Sequence, residues 1–295
     1  MLEGLLLKGY GGFYFVEAED QVYACSLRGR FRVKKQTFLP GDRVSITPLE
    51  RSKGVIEAVL PRKNELLRPP IANVEQAVIT FALKNPKPDL LLLDRILIQV
   101  LYAGIEPILC FNKQDLLSIA EADKLIAPYR AAGFQVIAVS ADSGANLETL
   151  KSAIGGHLAV MAGPSGAGKS SLLNAIHTQL ELETGELSRK VERGKHTTRR
   201  VELLKLAPQT YIADTPGFSS LYLPEEITEK ADIIRYYPEF LPYAEECPFL
   251  SCLHWHERDC AVRDAVMRGE LDSGRYERYT TFLTELKERE DVKYK

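Results

Sequence analysis

The sequence predicts an α/β protein in three parts: a small N-terminal β-barrel, a central parallel sheet wrapped by helices, and a mainly helical C-terminal part held by a metal. Three observations carry this expectation. Five short β-rich segments crowd into residues 1–68. From there to residue 223 apolar runs alternate with helical patterns, the mark of strand–helix–strand units. Beyond that point three cysteines fall within fourteen residues, ahead of a charged helical stretch. A chain of 295 residues has material for such domains, and the boundaries are placed at 1–68, 69–223 and 224–295.

In the first part, Gly11-Gly-Phe-Tyr-Phe-Val-Glu17, Gln21-Val-Tyr-Ala-Cys-Ser-Leu27 and Arg30-Phe-Arg-Val-Lys34 read as strands between turn residues. Arg43-Val-Ser-Ile-Thr47 follows the Pro40-Gly-Asp42 turn, and Gly54-Val-Ile-Glu-Ala-Val-Leu60 completes the set. Five short strands fit a barrel of the OB type, with an SH3-like barrel as the alternative. This part carries twelve Lys/Arg against eight Asp/Glu, whereas residues 223–295 carry eleven against seventeen. Arg28, Arg30, Arg32, Lys34 and Lys35 beside Phe31 favour single-stranded nucleic acid as a ligand.

In the second part, Val74 to Ala82, Glu106 to Phe111, Gln135 to Val139 and Leu158 to Ala162 are the strands, and Leu90 to Tyr102 is an amphipathic helix ending near Gly104. Val201 to Leu206 and Thr210 to Ala213 form a hairpin across Ala207-Pro-Gln209. In the third part, Ser273 to Glu290 is helical. No run of eighteen apolar residues exists, and Met1-Leu-Glu-Gly4 lacks the basic start of a signal peptide. The chain therefore reads as cytoplasmic, without a membrane partner.

The chemistry lies in short motifs. Gly163-Pro-Ser-Gly-Ala-Gly-Lys-Ser170 follows a strand and opens a helix at Ser171, the context of a phosphate-binding loop. Glycines let the backbone wrap phosphates, and Gly163, Pro164, Ser165, Gly166, Ala167 and Gly168 supply that wrap before the helix N-terminus. Lys169 would reach the β- and γ-phosphates and Ser170 would ligate magnesium. Asn112-Lys-Gln-Asp115 directly follows a strand. Asp115 can accept two hydrogen bonds from guanine N–H groups that adenine does not offer in that arrangement. Asn112 can bond guanine N7, the Lys113 stem can lie over the base, and Ser140-Ala141 at the next strand end can meet guanine O6 through an amide.

Asp214-Thr-Pro-Gly217 follows an apolar strand, so that Asp214 would hold magnesium through water and the Gly217 amide would sense the γ-phosphate. Between it and the phosphate loop lies Ser188-Arg-Lys-Val-Glu-Arg-Gly-Lys-His-Thr-Thr-Arg-Arg200, with six basic residues and one acidic. It has the polar character of a switch segment or of a solvated basic loop. Thr198, or alternatively Thr197, would complete the magnesium shell. The guanine tetrad at 112 precedes the phosphate loop at 163, which inverts the usual GTPase order. Cys247, Cys252, His254 and Cys260 offer three thiolates and an imidazole, the complement of a closed zinc site, with His256 competing for the imidazole place. In a reducing compartment such clustering favours metal over disulfides. Two rival readings are a metabolic P-loop ATPase or kinase, against which the guanine tetrad argues, and an RNA-binding module that uses GTP only as a clamp.

Together these motifs resemble the RsgA (YjeQ) family of circularly permuted GTPases, which assist small ribosomal subunit assembly. The likeness runs through Ile71-Ala-Asn-Val-Glu-Gln76, the tetrad, the phosphate loop, Gly194-Lys-His-Thr-Thr198, Asp214-Thr-Pro-Gly-Phe218 and Cys-Pro-Phe-x-x-Cys-x-His-x-x-Glu257. It implies an OB-fold, a Ras-like GTPase domain and a zinc domain, with one structural zinc, and magnesium bound with GTP. It also implies slow intrinsic hydrolysis stimulated by the small (30S) subunit and its rRNA, late in that subunit's maturation; the chain is expected to act as a monomer. Arg258 stands where the family usually has Pro. Phe218 stands where Ras-like enzymes place the water-orienting Gln, and a phenyl ring cannot hydrogen-bond water. His196 is the group that the resemblance and the chemistry favour as catalytic, beside Lys169 and Thr198; its alternative role is a contact to RNA phosphate.

Overall fold

Strands β1 (Leu2–Tyr10), β2 (Phe13–Ala18), β3 (Gln21–Leu27), β4 (Arg43–Leu49) and β5 (Lys53–Val59) close into a barrel in the order β1-β2-β3-β5-β4. β4 returns to pair antiparallel with β1, while β3 and β5 run parallel. That is the five-stranded Greek-key barrel of the OB type, with its edges closed. Val44 and Ile46 point inward with Ser45 between them, the period of a half-buried strand. The computed structural model describes residues 1–29, 31, 36–67, 69–184, 201–213 and 222–293.

Of the strand expected at residues 30–34 only Phe31 is described, and the described barrel strands are β1 to β5. Gly29 and Phe31 are helical, and the Phe31 N–H donates to the Arg28 carbonyl (3.1 Å). The Phe31 ring plugs the barrel interior edge-on to Phe38, with centroids 5.4 Å apart. Arg30, Arg32, Lys34 and Lys35 lie outside the described residues, and Arg28 pairs with Glu57. The strand that replaces it is β1. Its Leu5-Leu-Leu7 run does not alternate because the register shifts between Leu6 and Lys8, which breaks the period of two. Gly11 and Gly12 form the turn into β2 rather than the start of it.

A short ribbon, β6 (Glu65–Leu67) and β7 (Pro70–Ala72), leads into the central sheet. The sheet comprises β8 (Gln76–Ala82), β9 (Glu106–Asn112), β10 (Gln135–Ala138), β11 (Leu158–Ala162), β12 (Leu203–Ala207) and β13 (Thr210–Ala213). Their order is β10-β9-β8-β11-β13-β12, with every pairing parallel except β12 with β13, the expected hairpin. Both faces are covered. Ala77, Ile79, Phe81, Leu109 and Phe111 face α1 (Leu90–Tyr102) and α2 (Ile119–Ala131). The alternating Val78, Ile108 and Cys110 face α3 (Leu147–Ile154) and α4 (Lys169–Thr184). Such double burial explains why these strands read as unbroken apolar runs. Asp89 caps α1 by accepting from the Leu92 N–H (3.0 Å), and Ser118 with Glu121 forms a capping box on α2.

The C-terminal part consists of short turns from residue 230, then α5 (Ala261–Met267) and the long α6 (Ser273–Lys293). Its core of Leu223, Ile227, Ile233, Tyr237, Phe240, Tyr279, Phe282, Leu283 and Leu286 takes in Ile98 from α1. No described helix is long and apolar enough to cross a membrane.

Candidate nucleotide site and metal centre

Four loops meet at the carboxyl ends of the parallel strands β8, β9, β10 and β11, where open α/β sheets bind ligands. The phosphate loop leaves β11 and becomes α4 at Lys169. Its glycines are required by contact. A Cβ on Gly163, whose φ is +120°, would lie 2.1 Å from the Thr80 carbonyl oxygen, and one on Gly168 would lie 2.2 Å from Asn112 Nδ2. Lys169 curls back over its own loop and donates to the carbonyls of Gly163 and Pro164 (2.7 Å each). Ser165, Gly166, Ser170 and Ser171 are exposed, Ala167 is buried and Pro164 half-buried.

Asn112 ends β9 and is only 1% exposed. Its Nδ2 donates to the Ala167 carbonyl (3.0 Å), and its Oδ1 accepts from the N–H groups of Lys113 (2.8 Å) and Ala141 (3.1 Å). One side chain thus ties the phosphate loop, the guanine tetrad and the Ser140-Ala141 loop together. Ser140 is buried and its Oγ accepts from the Ser143 N–H (3.1 Å). Asn146, unread in the sequence, adds a second tie: its Nδ2 donates to the Ala138 carbonyl (2.8 Å) and to Gln114 Oε1 (3.3 Å). Its left-handed φ of 59°, tolerated by Asn, is the signal in Gly-Ala-Asn that could have revealed it. Asp115 sits exposed in the turn Gln114–Leu116. β13 leads toward Asp214 and Gly217, which with Phe218, Thr197, Thr198 and His196 lie outside the described residues.

The second centre is in the C-terminal part. The ligand atoms of Cys247, Cys252, His254 and Cys260 all lie within 4.8 Å of one another. His254 Nδ1 is 3.5 Å from Cys247 Sγ and 3.4 Å from Cys260 Sγ. Three soft sulfurs and one imidazole converging on one point are the donor set of a tetrahedral zinc site, and the residues fit that ion. His256 is not among them: it is exposed and stacks on Trp255, with centroids 4.4 Å apart. Burial lowers the His254 pKa, which favours the neutral ligand form, and pushes the Cys252 thiol up to about 12. A bound divalent cation would reverse the latter.

Glu257 shapes the turn that carries His254. Its carboxylate accepts from the N–H groups of Leu253 (3.0 Å), Trp255 (2.8 Å) and His256 (3.1 Å). Burial alone would raise its pKa, but these backbone donors bring it below the usual carboxylate value. Tyr276 and Tyr279 hydroxyls donate to the carbonyls of His254 (2.8 Å) and Leu253 (2.9 Å), fixing the same turn from α6. Arg258 is exposed beside it, so the turn forms without the proline.

Known proteins resemble this chain along its length. Residues 59–224 match the family described as RsgA GTPase, and residues 3–56 match that described as RsgA N-terminal domain. The small ribosomal subunit biogenesis GTPase RsgA of Moorella thermoacetica is 49% identical, covering 98% of this chain and 99% of that protein. The protein of the same name from Geobacillus kaustophilus is 46% identical, covering 98% and 99%. Among solved structures, YjeQ from Thermotoga maritima superposes with a TM-score of 0.80 at 33% identity, covering 97% of this chain and 98% of that one. YloQ, described as a circularly permuted GTPase, gives 0.79 at 36% identity, covering 98% and 96%.

Proposed function

The chain belongs to the RsgA GTPase family, and from that premise we propose that it hydrolyses GTP as a late assembly factor of the small ribosomal subunit, in the cytoplasm and as a single copy. The observation that supports this reading best is the Asn112 tie. It sets the phosphate loop and the guanine-reading loops at one strand end in a geometry suited to a guanine nucleotide. Asp115 accepts the guanine N–H groups, the Ala141 amide, shared with Asn112 Oδ1, reaches O6, and the remaining N–H of Asn112 can serve N7. Lys169 turns from its own loop to the β- and γ-phosphates. Ser170, with Thr198, ligates the magnesium that accompanies GTP, and Asp214 and Gly217 read the γ-phosphate. Cys247, Cys252, His254 and Cys260 hold one structural zinc. Residues 1–68, 69–223 and 224–295 act as the RNA-binding, GTPase and zinc domains.

Phe218 cannot orient the attacking water, so hydrolysis on the free protein is slow and His196, ordered on the subunit's rRNA, supplies the missing group. The test is single-turnover GTP hydrolysis with and without saturating small subunits, for the natural chain and His196→Ala. We expect stimulation by the subunit in the former and loss of about a hundredfold or more in the latter, with GTP affinity unchanged. A chain that turns over equally with and without subunits would remove the assembly reading. A fully stimulated His196→Ala would remove the histidine. A thermal shift with ATP as large as with GTP would overturn the base assignment.

A further inference from the structure

The loop between β8 and α1, residues 83–89, belongs to none of the motifs above, yet it touches two of them. The Leu83 N–H donates to the Asn112 carbonyl (2.9 Å), so β8 and β9 stay zipped to the edge of the site. Two residues on, the Asn85 carbonyl accepts from Lys113 Nζ. At the next residue, Pro86 Cδ lies 3.4 Å from the point where a Cβ of Gly166 would stand, against the open turn of the phosphate loop. Lys84, Asn85, Pro86 and Lys87 are themselves exposed, so packing into a core does not explain these contacts.

Lys113 and Asn85 share a second property. Both have left-handed backbones, with φ of 64° and 50°. Lysine gains nothing from that region, and residues held there tend to serve a site. Lys113 is kept there from two sides: its N–H donates to Asn112 Oδ1 and its ammonium reaches Asn85. A free lysine side chain samples many rotamers, and ordering it has an entropic cost. The hook to Asn85 has already ordered this one, stretched from the tetrad toward the loop.

We propose that Asn85 and Pro86 are positioning residues for the guanine nucleotide: the Asn85 carbonyl holds the Lys113 stem as one wall of the base slot, and Pro86, seated against the phosphate loop, fixes where that carbonyl stands. This rests on the reading of the nucleotide site given above. Asn85 contributes only backbone, and its neighbour restricts where that backbone stands because a proline ring crowds the residue before it. Pro86→Gly therefore releases the hook without altering a group that touches nucleotide, and a competent site forms in a smaller fraction of molecules.

A double-mutant cycle with a fluorescent GDP tests this. Pro86→Gly in the natural background weakens binding by about threefold to tenfold, chiefly through slower association, with the unfolding temperature unchanged. Pro86→Ala, which keeps a stiffer backbone, gives a smaller loss. In Lys113→Ala the same Pro86→Gly change has no further effect, because the hook is already gone, whereas Lys113→Arg keeps the sensitivity. Equal losses in the natural and Lys113→Ala backgrounds would overturn the proposal. Failure of the unsubstituted protein to bind GDP at all would instead overturn the site itself.

Discussion

The central sheet is gripped from two sides, and the two grips are built differently. On the barrel side, Lys205 of β12 donates to Glu17 of β2 and to Asp20 (3.2 Å), and the Tyr211 hydroxyl of β13 donates to Glu17 (3.2 Å). Lys8 of β1 pairs with Glu202 at the surface. Here the carboxylate is sunk, at 8% exposure, while its cation keeps 35%. On the C-terminal side the charges are inside. Asp94 of α1 accepts from Tyr129 (2.8 Å) and Arg278 (2.6 Å) and pairs with Arg275 (2.8 Å), with Asp94 fully buried and Arg275 at 1% exposure. Arg275 also donates to Glu239 (2.7 Å) and lies over the Tyr237 ring, while Arg95 pairs with Glu285 (2.6 Å). A half-wet clamp can open and reclose at little cost. A dry one is expensive to break, because each separated charge is left without water.

The difference has a functional side. The barrel grips the hairpin that lies between the basic segment and Asp214, the two stretches expected to sense the γ-phosphate. The C-terminal part grips α1, and it also fixes the chain where the second of those stretches ends. Gln99 donates to the Tyr222 carbonyl (2.6 Å), and Arg289 donates to the carbonyls of Leu223 (3.0 Å) and Pro224 (3.3 Å). The barrel contact is thus the adjustable one, and the C-terminal contact is a fixed frame.

Breaking the frame at its Cys/His cluster gives the largest expected effect. Trp255, the one tryptophan in the chain, sits in the turn beside His254 and reports on this region. Cys252→Ser or a zinc chelator should abolish its cooperative unfolding transition, since structural zinc sites contribute about 10 kcal/mol or more to folding. A metal analysis finding no zinc in protein purified without chelator would remove the cause. Next in size is Asp94→Ala, which leaves buried Arg275 with Glu239 alone and takes the carboxylate from half-buried Arg278, and should cost about 3–5 kcal/mol in denaturant unfolding followed by Trp255. Replacing Asp94, Glu239, Arg275 and Arg278 together by apolar residues should cost less than Asp94→Ala alone. If it costs more, the buried charges are not the frame.

The barrel clamp should respond less. Glu17→Ala removes the acceptor for Lys205 and Tyr211 and should cost about 1–3 kcal/mol, without moving the Trp255 transition. The hydrogen bond to Glu17 raises the Lys205 pKa, and burial raises that of Tyr211. Both groups are held in their protonated forms on folding, so their contribution is complete below about pH 10 and is lost as the pH rises through the raised values. An alkaline stability titration should show that loss in the natural chain and a smaller one in Glu17→Ala. The smallest effect belongs to Lys8→Ala, an exposed pair worth less than about 1 kcal/mol and screened by salt. A larger loss there would mean that the barrel side is as rigid as the frame.

What could be read from the chain was whatever is local. The phosphate loop, Asn112-Lys-Gln-Asp115 and Cys247-x4-Cys252-x-His254-x5-Cys260 each hold their chemistry in a few consecutive residues, and α1 carried its own cap and period. The permuted order was also visible, because it is an order of motifs. The barrel was legible as a barrel, but β1 hid behind a register shift, and of the strand expected at 30–34 the one described residue, Phe31, is helical. The sequence gives Asp94 no distinguishing mark. It is an acidic residue on an apolar helix, and its arginines stand more than 180 positions away. Nor could it show that Asn112 would join three loops or that Asn85 would offer its carbonyl to Lys113. Those choices depend on which strands lie side by side and on which polar groups are then shut away from water, and only the assembled sheet fixes both.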